Sequence, residues 1–117
     1  MYQGKSIAVV IPAYNEEILI EQTINTIPDF VDNIVCVNDK STDRTKSILE
    51  GLKSSNQRLI VLHHEKNQGV GGAIATGYMW CRDHNSDVAV VMAGDGQMDP
   101  KDLPDLLDPV VAGDADY

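Results

Sequence analysis

Two aspartates stand where this chain could do chemistry. Asp95 lies between Gly94 and Gly96, directly after the apolar run Val88-Ala89-Val90-Val91-Met92, and Gln97 follows close behind. Glycines on both sides clear bulk from the carboxylate, so a large ligand can reach it. A lone carboxylate is a poor partner for an anion, but one holding a divalent cation is a good clamp for a diphosphate. Asp39 comes off a second apolar run, Ile34-Val35-Cys36-Val37. There it can accept hydrogen bonds from a base edge or a ribose, or belong to a helix cap. The turn Pro12-Ala13-Tyr14-Asn15-Glu16-Glu17 offers an aromatic ring beside a helix start; its plainer reading is a capped helix with a packed tyrosine. In Asn67-Gln68-Gly69-Val70-Gly71-Gly72-Ala73 the helix positions lack bulk. That suits either tight packing on a sheet or close approach of a ligand to helix-end N–H groups.

The charge balance sharpens the choice. The formal net charge is −9, which excludes a nucleic-acid binder, since that needs a basic stripe to displace counterions. An anionic ligand would be repelled by the protein's own field, so a bound cation or oriented backbone dipoles must attract it. A dication at Asp95 answers this requirement.

The elements that must position these turns follow from hydrophobic patterning. Residues 6–12, 33–38, 58–63 and 87–92 are strand-sized apolar runs. Between them lie amphipathic helices. In the first, Asn15 is placed as the cap, Glu16 and Glu17 fall in the first turn, and Ile20, Ile24 and Ile27 face inward. The second runs from about Thr42 to Ser54 and buries Ile48, Leu49 and Leu52; the third ends near His84, with Val70, Ile74, Tyr78 and Cys81 on its inner face. Asp99-Pro100 opens a last helix that begins near Lys101. Alternating buried strands and helices imply a three-layer α/β/α fold with a mostly parallel sheet and right-handed crossovers. Ligands in such sheets bind beyond the carboxyl ends of the strands, where all four turns fall. The chain of 117 residues is expected to form one domain over residues 1–117. No apolar run reaches the roughly 20 residues that span a bilayer, and no secretory signal pattern opens the chain. Cys36 and Cys81 lack metal-ligand spacing and are expected to be packed, reduced thiols of a cytoplasmic protein.

Neither familiar phosphate loop is present. G-x-x-x-x-G-K-[ST] is absent, and Ile74 occupies the last glycine position of G-x-G-x-x-G in the third turn. Taken together, the four turns resemble the nucleotide-sugar-binding half of the inverting family-two glycosyltransferases with the GT-A fold. Pro12-Ala13-Tyr14-Asn15-Glu16 matches that family's P-A-Y-N-E, and Asn38-Asp39-Lys40-Ser41-Thr42-Asp43-Arg44-Thr45 its D-D-G-S-T-D-x-T. Asn67, Gly69, Gly71, Ala73 and Gly77 match N-x-G-x-G-x-A-x-x-x-G, and residues 93–100 match D-A-D-G-Q-H-D-P. Four such matches in order, each at a strand's carboxyl end, make the resemblance specific. The nearest subgroup is similar to the polyprenyl-phosphate sugar synthases.

The resemblance implies a Rossmann-like nucleotide-binding half. Pro12, Tyr14, Glu16, Val37 and Asp39 would line the nucleoside pocket, and Gly72 would shape its wall. Gly94, Asp95 and Gln97 would sit at the diphosphate, with Asp95 and Gln97 on Mg²⁺ or Mn²⁺ and Asp95 as the catalytic carboxylate. The implied activity is inverting transfer from a UDP- or GDP-linked sugar to an acceptor such as a polyprenyl phosphate. That places the full-length protein at the cytoplasmic face of a membrane, in cell-wall or glycolipid biosynthesis. Asn38 replaces an acid of the family pattern, Lys40 a glycine and Met98 a histidine, and Ala93 replaces the first Asp of D-x-D. The last change removes one carboxylate from the metal site and motivates the alternative of a non-catalytic nucleotide-binding relative. A nucleotidyltransferase shares the sheet and metal logic but needs a glycine- and lysine-rich first turn. Family members continue beyond the point matching Tyr117, so the chain is expected to be truncated, to bind donor without turnover, and to self-associate through an exposed sheet edge.

Overall fold

A computed structural model of the chain describes residues 1–92. The order is β1 (Ile7–Ala13), α1 (Ile20–Asn25), β2 (Asn33–Asn38), α2 (Thr45–Ser55), β3 (Leu59–His63), α3 (Gly69–Asp83) and β4 (Val88–Val91). Among the described residues the three strand pairings are parallel and the sheet order is β3-β2-β1-β4. The expected α/β layering and strand positions are therefore present. The last helix and the turn carrying Gly94, Asp95 and Gln97 lie outside the described residues.

Every residue of β1 is buried, as befits a central strand covered on both faces. Ile7, Val9 and Ile11 point into one core layer with Ile20, Ile24 and Leu49 from α1 and α2. Ala8 and Val10 point into the other, against Ala73 and Cys81 of α3. Both cysteines are free and buried. Acidic side chains fasten the amino ends of the strands: Asp32 accepts the Ile7 amide at 2.7 Å, and Asp87 accepts the Ser6 amide at 2.8 Å. Arg58, just ahead of β3, donates to the carbonyls of Pro28, Val31 and Ile27 and so ties the chain leaving α1 to the sheet.

Three expectations are corrected. α1 starts at Ile20 rather than beside Asn15. Asn15 adopts φ 53°, a left-handed conformation that asparagine tolerates better than most residues, and its side chain bonds to the next turn instead of capping its own helix. α2 starts at Thr45 because Thr42 is engaged by Asn15. On α3 the buried residues are Ala73, Gly77 and Cys81, while Val70 and Tyr78 are exposed. A Cβ at Gly77 would stand 2.3 Å from Val10 Cγ1. The helix thus lies on β1 along small side chains, with Trp80 partly buried beside them and Val70, Tyr78 and Met79 exposed.

Candidate functional site

Two adjacent strand ends build the site. β1 and β2 run in register to Pro12↔Val37 and Ala13↔Asn38, and the Asp39 amide donates to the Ala13 carbonyl at 2.9 Å. The turns that leave them are stitched side chain to backbone. Asn15 Oδ1 accepts from the Thr42 amide at 2.8 Å, and the Asn15 amide donates to Ser41 Oγ at 3.1 Å. The Glu16 amide donates to Thr45 Oγ1 at 2.9 Å, and the Glu17 amide to Asp43 Oδ2 at 3.3 Å. Asp43 Oδ1 in turn accepts the Thr45 amide and hydroxyl. Burial opposes the charge on Asp43, but these donors outweigh it and hold its carboxyl below the usual carboxylate range. The amides of the first turn are therefore held mainly by side-chain oxygens of the second, and the Thr42 amide answers in the other direction.

Tyr14 is 46% exposed and leaves its ring available above this frame. Asp39 is only 3% exposed. Its Oδ1 accepts the Gln68 amide at 2.7 Å and faces His64 Nδ1 at 2.8 Å, while Asn67 Nδ2 donates to its carbonyl at 3.1 Å. Burial would raise its pKa; the Gln68 amide, His64 and the Gly69 amide together hold it below the ordinary value. Asp39 is thus an ionised acceptor at the carboxyl end of β2, in place before any ligand arrives.

The expected nucleoside residues meet at the carboxyl ends of the two central strands but are not equivalent. Tyr14 and Glu16 reach the surface, whereas Pro12 and Val37 are buried strand residues. Val37 is 0% exposed and packs in the core layer of α3, so only its main chain can face a ligand. Gly72 does not border open space: a Cβ there would lie 2.6 Å from Gln68 Cβ. Its missing side chain makes room for the residue whose amide holds Asp39. Asn38 is structural, as its Oδ1 accepts the Ser41 amide and its Nδ2 donates to His63 Nδ1. Because Nδ1 accepts, Nε2 carries the ring proton and donates to Glu50 at 2.5 Å. Lys40 occupies φ 60° beside an open cleft of about 460 Å³ that Lys46, His63 and Glu65 also line.

His64, Gln68 and Thr76 were not anticipated. Their one visible signal is position, since a histidine directly after a strand belongs to the ligand-facing end of the sheet.

Among the described residues no cluster of three or more His, Cys, Asp or Glu side chains could hold a metal ion. The expected metal ligands, Asp95 and Gln97, lie outside the described residues. Their carboxylate and amide oxygens are hard donors of the kind that Mg²⁺ and Mn²⁺ prefer. β4 lies beside β1 in the sheet, and its sequence leads on toward them.

Known proteins agree with this architecture. The family model for glycosyl transferase family 2 matches residues 8–117. A UDP-N-acetylglucosamine–dolichyl-phosphate N-acetylglucosaminyltransferase of Methanococcus voltae is 34% identical, the match covering 97% of this chain and 50% of that protein. An undecaprenyl-phosphate mannosyltransferase of Micrococcus luteus is 32% identical over 92% of this chain and 45% of that one. Among solved structures, the glucosyl-3-phosphoglycerate synthase of Mycobacterium tuberculosis, in complex with Mn²⁺, UDP-glucose and phosphoglyceric acid, superposes with a TM-score of 0.70. It is 27% identical, over 94% of this chain and 41% of the other. The fold is that of the GT-A glycosyltransferases, with a Rossmann-like nucleotide-binding sheet. The chain belongs to glycosyl transferase family 2. It spans about half the length of these curated relatives.

Proposed function

We propose that this chain is the donor-binding part of an inverting glycosyltransferase. The donor is a nucleoside-diphosphate sugar, UDP- or GDP-linked, and the acceptor a polyprenyl phosphate. The observation that carries the reading is the pairing of an exposed tyrosine with a preformed carboxylate at neighbouring strand ends, Tyr14 after β1 and Asp39 after β2. Stacking on Tyr14 holds a base of any identity. Asp39, an acceptor only, selects donors on the base or ribose. Glu16 borders the same pocket, and the main chain of Pro12 and Val37 forms its floor.

Gly94, Asp95 and Gln97 are assigned to the diphosphate, Asp95 and Gln97 as ligands of Mg²⁺ or Mn²⁺. When bound, the ion supplies Lewis-acid neutralisation of the charge that builds on the departing nucleoside diphosphate. The glycines beside Asp95 leave room for the pyrophosphate. In-line attack by the acceptor oxygen inverts the anomeric carbon. A phosphate acceptor is already anionic and needs no general base, whereas a hydroxyl would. The acceptor class rests on the polyprenyl-phosphate transferases among the relatives. It places the complete protein at the cytoplasmic face of a membrane; no helix among the described residues is long and apolar enough to cross one.

The test is a thermal-shift series with UDP, GDP and CDP, with and without Mn²⁺, on the chain and on its Asp95→Asn variant. A nucleotide shift that grows with Mn²⁺ and loses that growth in the variant is expected. An identical metal-dependent shift in the variant overturns the assignment of Asp95. Ala93, standing where the family pattern has an acid, favours a second reading, a nucleotide-binding relative without turnover. Sugar release from a labelled nucleotide-sugar by the complete protein, compared with and without metal, separates the two.

A further inference from the structure

Asp39 is held from one side. The Gln68 amide, at 2.7 Å, and His64 Nδ1, at 2.8 Å, both meet its Oδ1. Both bonds fall on Oδ1 and neither uses Oδ2; the nearby Gly69 amide favours the charged carboxylate, but its own hydrogen bond goes to Asn67 Oδ1 at 3.1 Å. No buried polar side-chain atom among the described residues lacks a partner. His64 is itself enclosed, with its side chain 6% exposed. On its far side Nε2 lies 2.8 Å from Thr76 Oγ1, which lies 3.0 Å from the Gly72 carbonyl.

Counting protons fixes the direction of the chain of bonds. The Asp39 carboxylate only accepts, so Nδ1 of His64 must carry a proton. Thr76 has one hydroxyl proton and two acceptors within reach. If that proton goes to Nε2, the ring is the neutral Nδ1–H tautomer; if it goes to the Gly72 carbonyl, Nε2 must be protonated as well. In either arrangement Nδ1–H is directed at Asp39. Thr76 therefore steadies the imidazole without dictating its charge.

We propose that His64, steadied by Thr76, is a positioning residue that fixes Asp39 so that Oδ2 alone is presented to the nucleoside. This rests on the nucleotide-binding reading above and deepens it. A carboxylate reduced to one free oxygen suits a single donor, such as the one ring N–H of uracil or a ribose hydroxyl. A guanine edge, with adjacent N–H donors, calls for both oxygens. Uridine nucleotides are favoured over guanosine nucleotides by this arrangement, and the preference depends on His64.

Calorimetric titration of the complete protein with UDP and GDP, in Mn²⁺, tests this on three variants. His64→Leu removes the donor and is expected to weaken UDP binding about tenfold or more, and GDP binding less. His64→Asn keeps an N–H near the place of Nδ1 and should stay within about threefold of the parent, while Thr76→Val should fall between the two. Melting temperatures of all variants are measured alongside. Equal losses in His64→Leu and His64→Asn, or parent-like UDP binding and selectivity in His64→Leu, would overturn the proposal. If the parent binds no nucleotide, the functional reading fails instead. The relay is then judged by ¹⁵N NMR of the His64 ring: a proton on Nδ1 sustains it, and a ring protonated only at Nε2 sinks it.

Discussion

Asp43 shows how single residues hold this site together. Its carboxylate accepts from Thr45 and from the Glu17 amide, joining the start of α2 to the turn after β1. Its pKa, like that of Asp39, lies below the ordinary value of 3.8 in the folded chain. A carboxyl whose folded pKa is depressed contributes stability that is fully present above its unfolded pKa and is lost as pH falls through the folded one. Unfolding free energy measured by urea titration is therefore expected to decline as pH drops below about 4, with these two aspartates contributing to the fall. In Asp43→Asn the decline should be shallower, and a decline as steep as the parent's would exclude Asp43 as a contributor. Sequence alone singled out Asp39 because it follows a strand directly. His64 and Thr76 were hidden from that reasoning, since their bonds connect residues 25 and 12 positions apart. Nothing local to a histidine says which carboxylate it will meet.

At the scale of elements, α3 was misread for an instructive reason. Large apolar residues, Val70 and Tyr78 among them, suggested its inner face together with Cys81; Cys81 is indeed buried, but Ala73 and Gly77 complete that face. A helix that must lie flat on a central strand gains more from close approach than from a few larger side chains held at a distance. Gly77→Ala tests this, because the new methyl would meet Val10 Cγ1 at 2.3 Å. We expect a loss of about 1–3 kcal/mol in chemical denaturation, against the small gain that Gly→Ala brings in an open helix position. Gly71, with nothing within 4 Å of its would-be Cβ, is the control; Gly71→Ala should be neutral or stabilising. A neutral Gly77→Ala would mean that α3 does not seat on β1 as described. The first helix was misplaced for a related reason. Asn15 has the chemistry of a cap, but Thr42 of the neighbouring turn competes for the same oxygen.

For the whole molecule, sheet order decides what charge and pattern could not. Among the described residues β4 pairs with β1 alone and β3 with β2 alone. The opposite edge of each strand therefore carries no pairing among these residues, and such edges template association. We expect the 117-residue chain to sediment with an average mass that rises with concentration across the micromolar range; a constant monomer mass would show that these edges do not associate. Residue types and their order sufficed for the parallel α/β class, the four strands, the family and the turns at which to look, because buried strands and helix periodicity are local signals. They also singled out Tyr14 and Asp39 as candidates, whose place after a strand marks them. Only the tertiary structure decided that Val37 is sealed inside, that Gly72 makes room for Gln68, and that Asp39 is held by His64 and Thr76. Those facts depend on which side chains meet after distant segments pack, and hydrogen bonds across the fold have no spacing in the chain by which to be read.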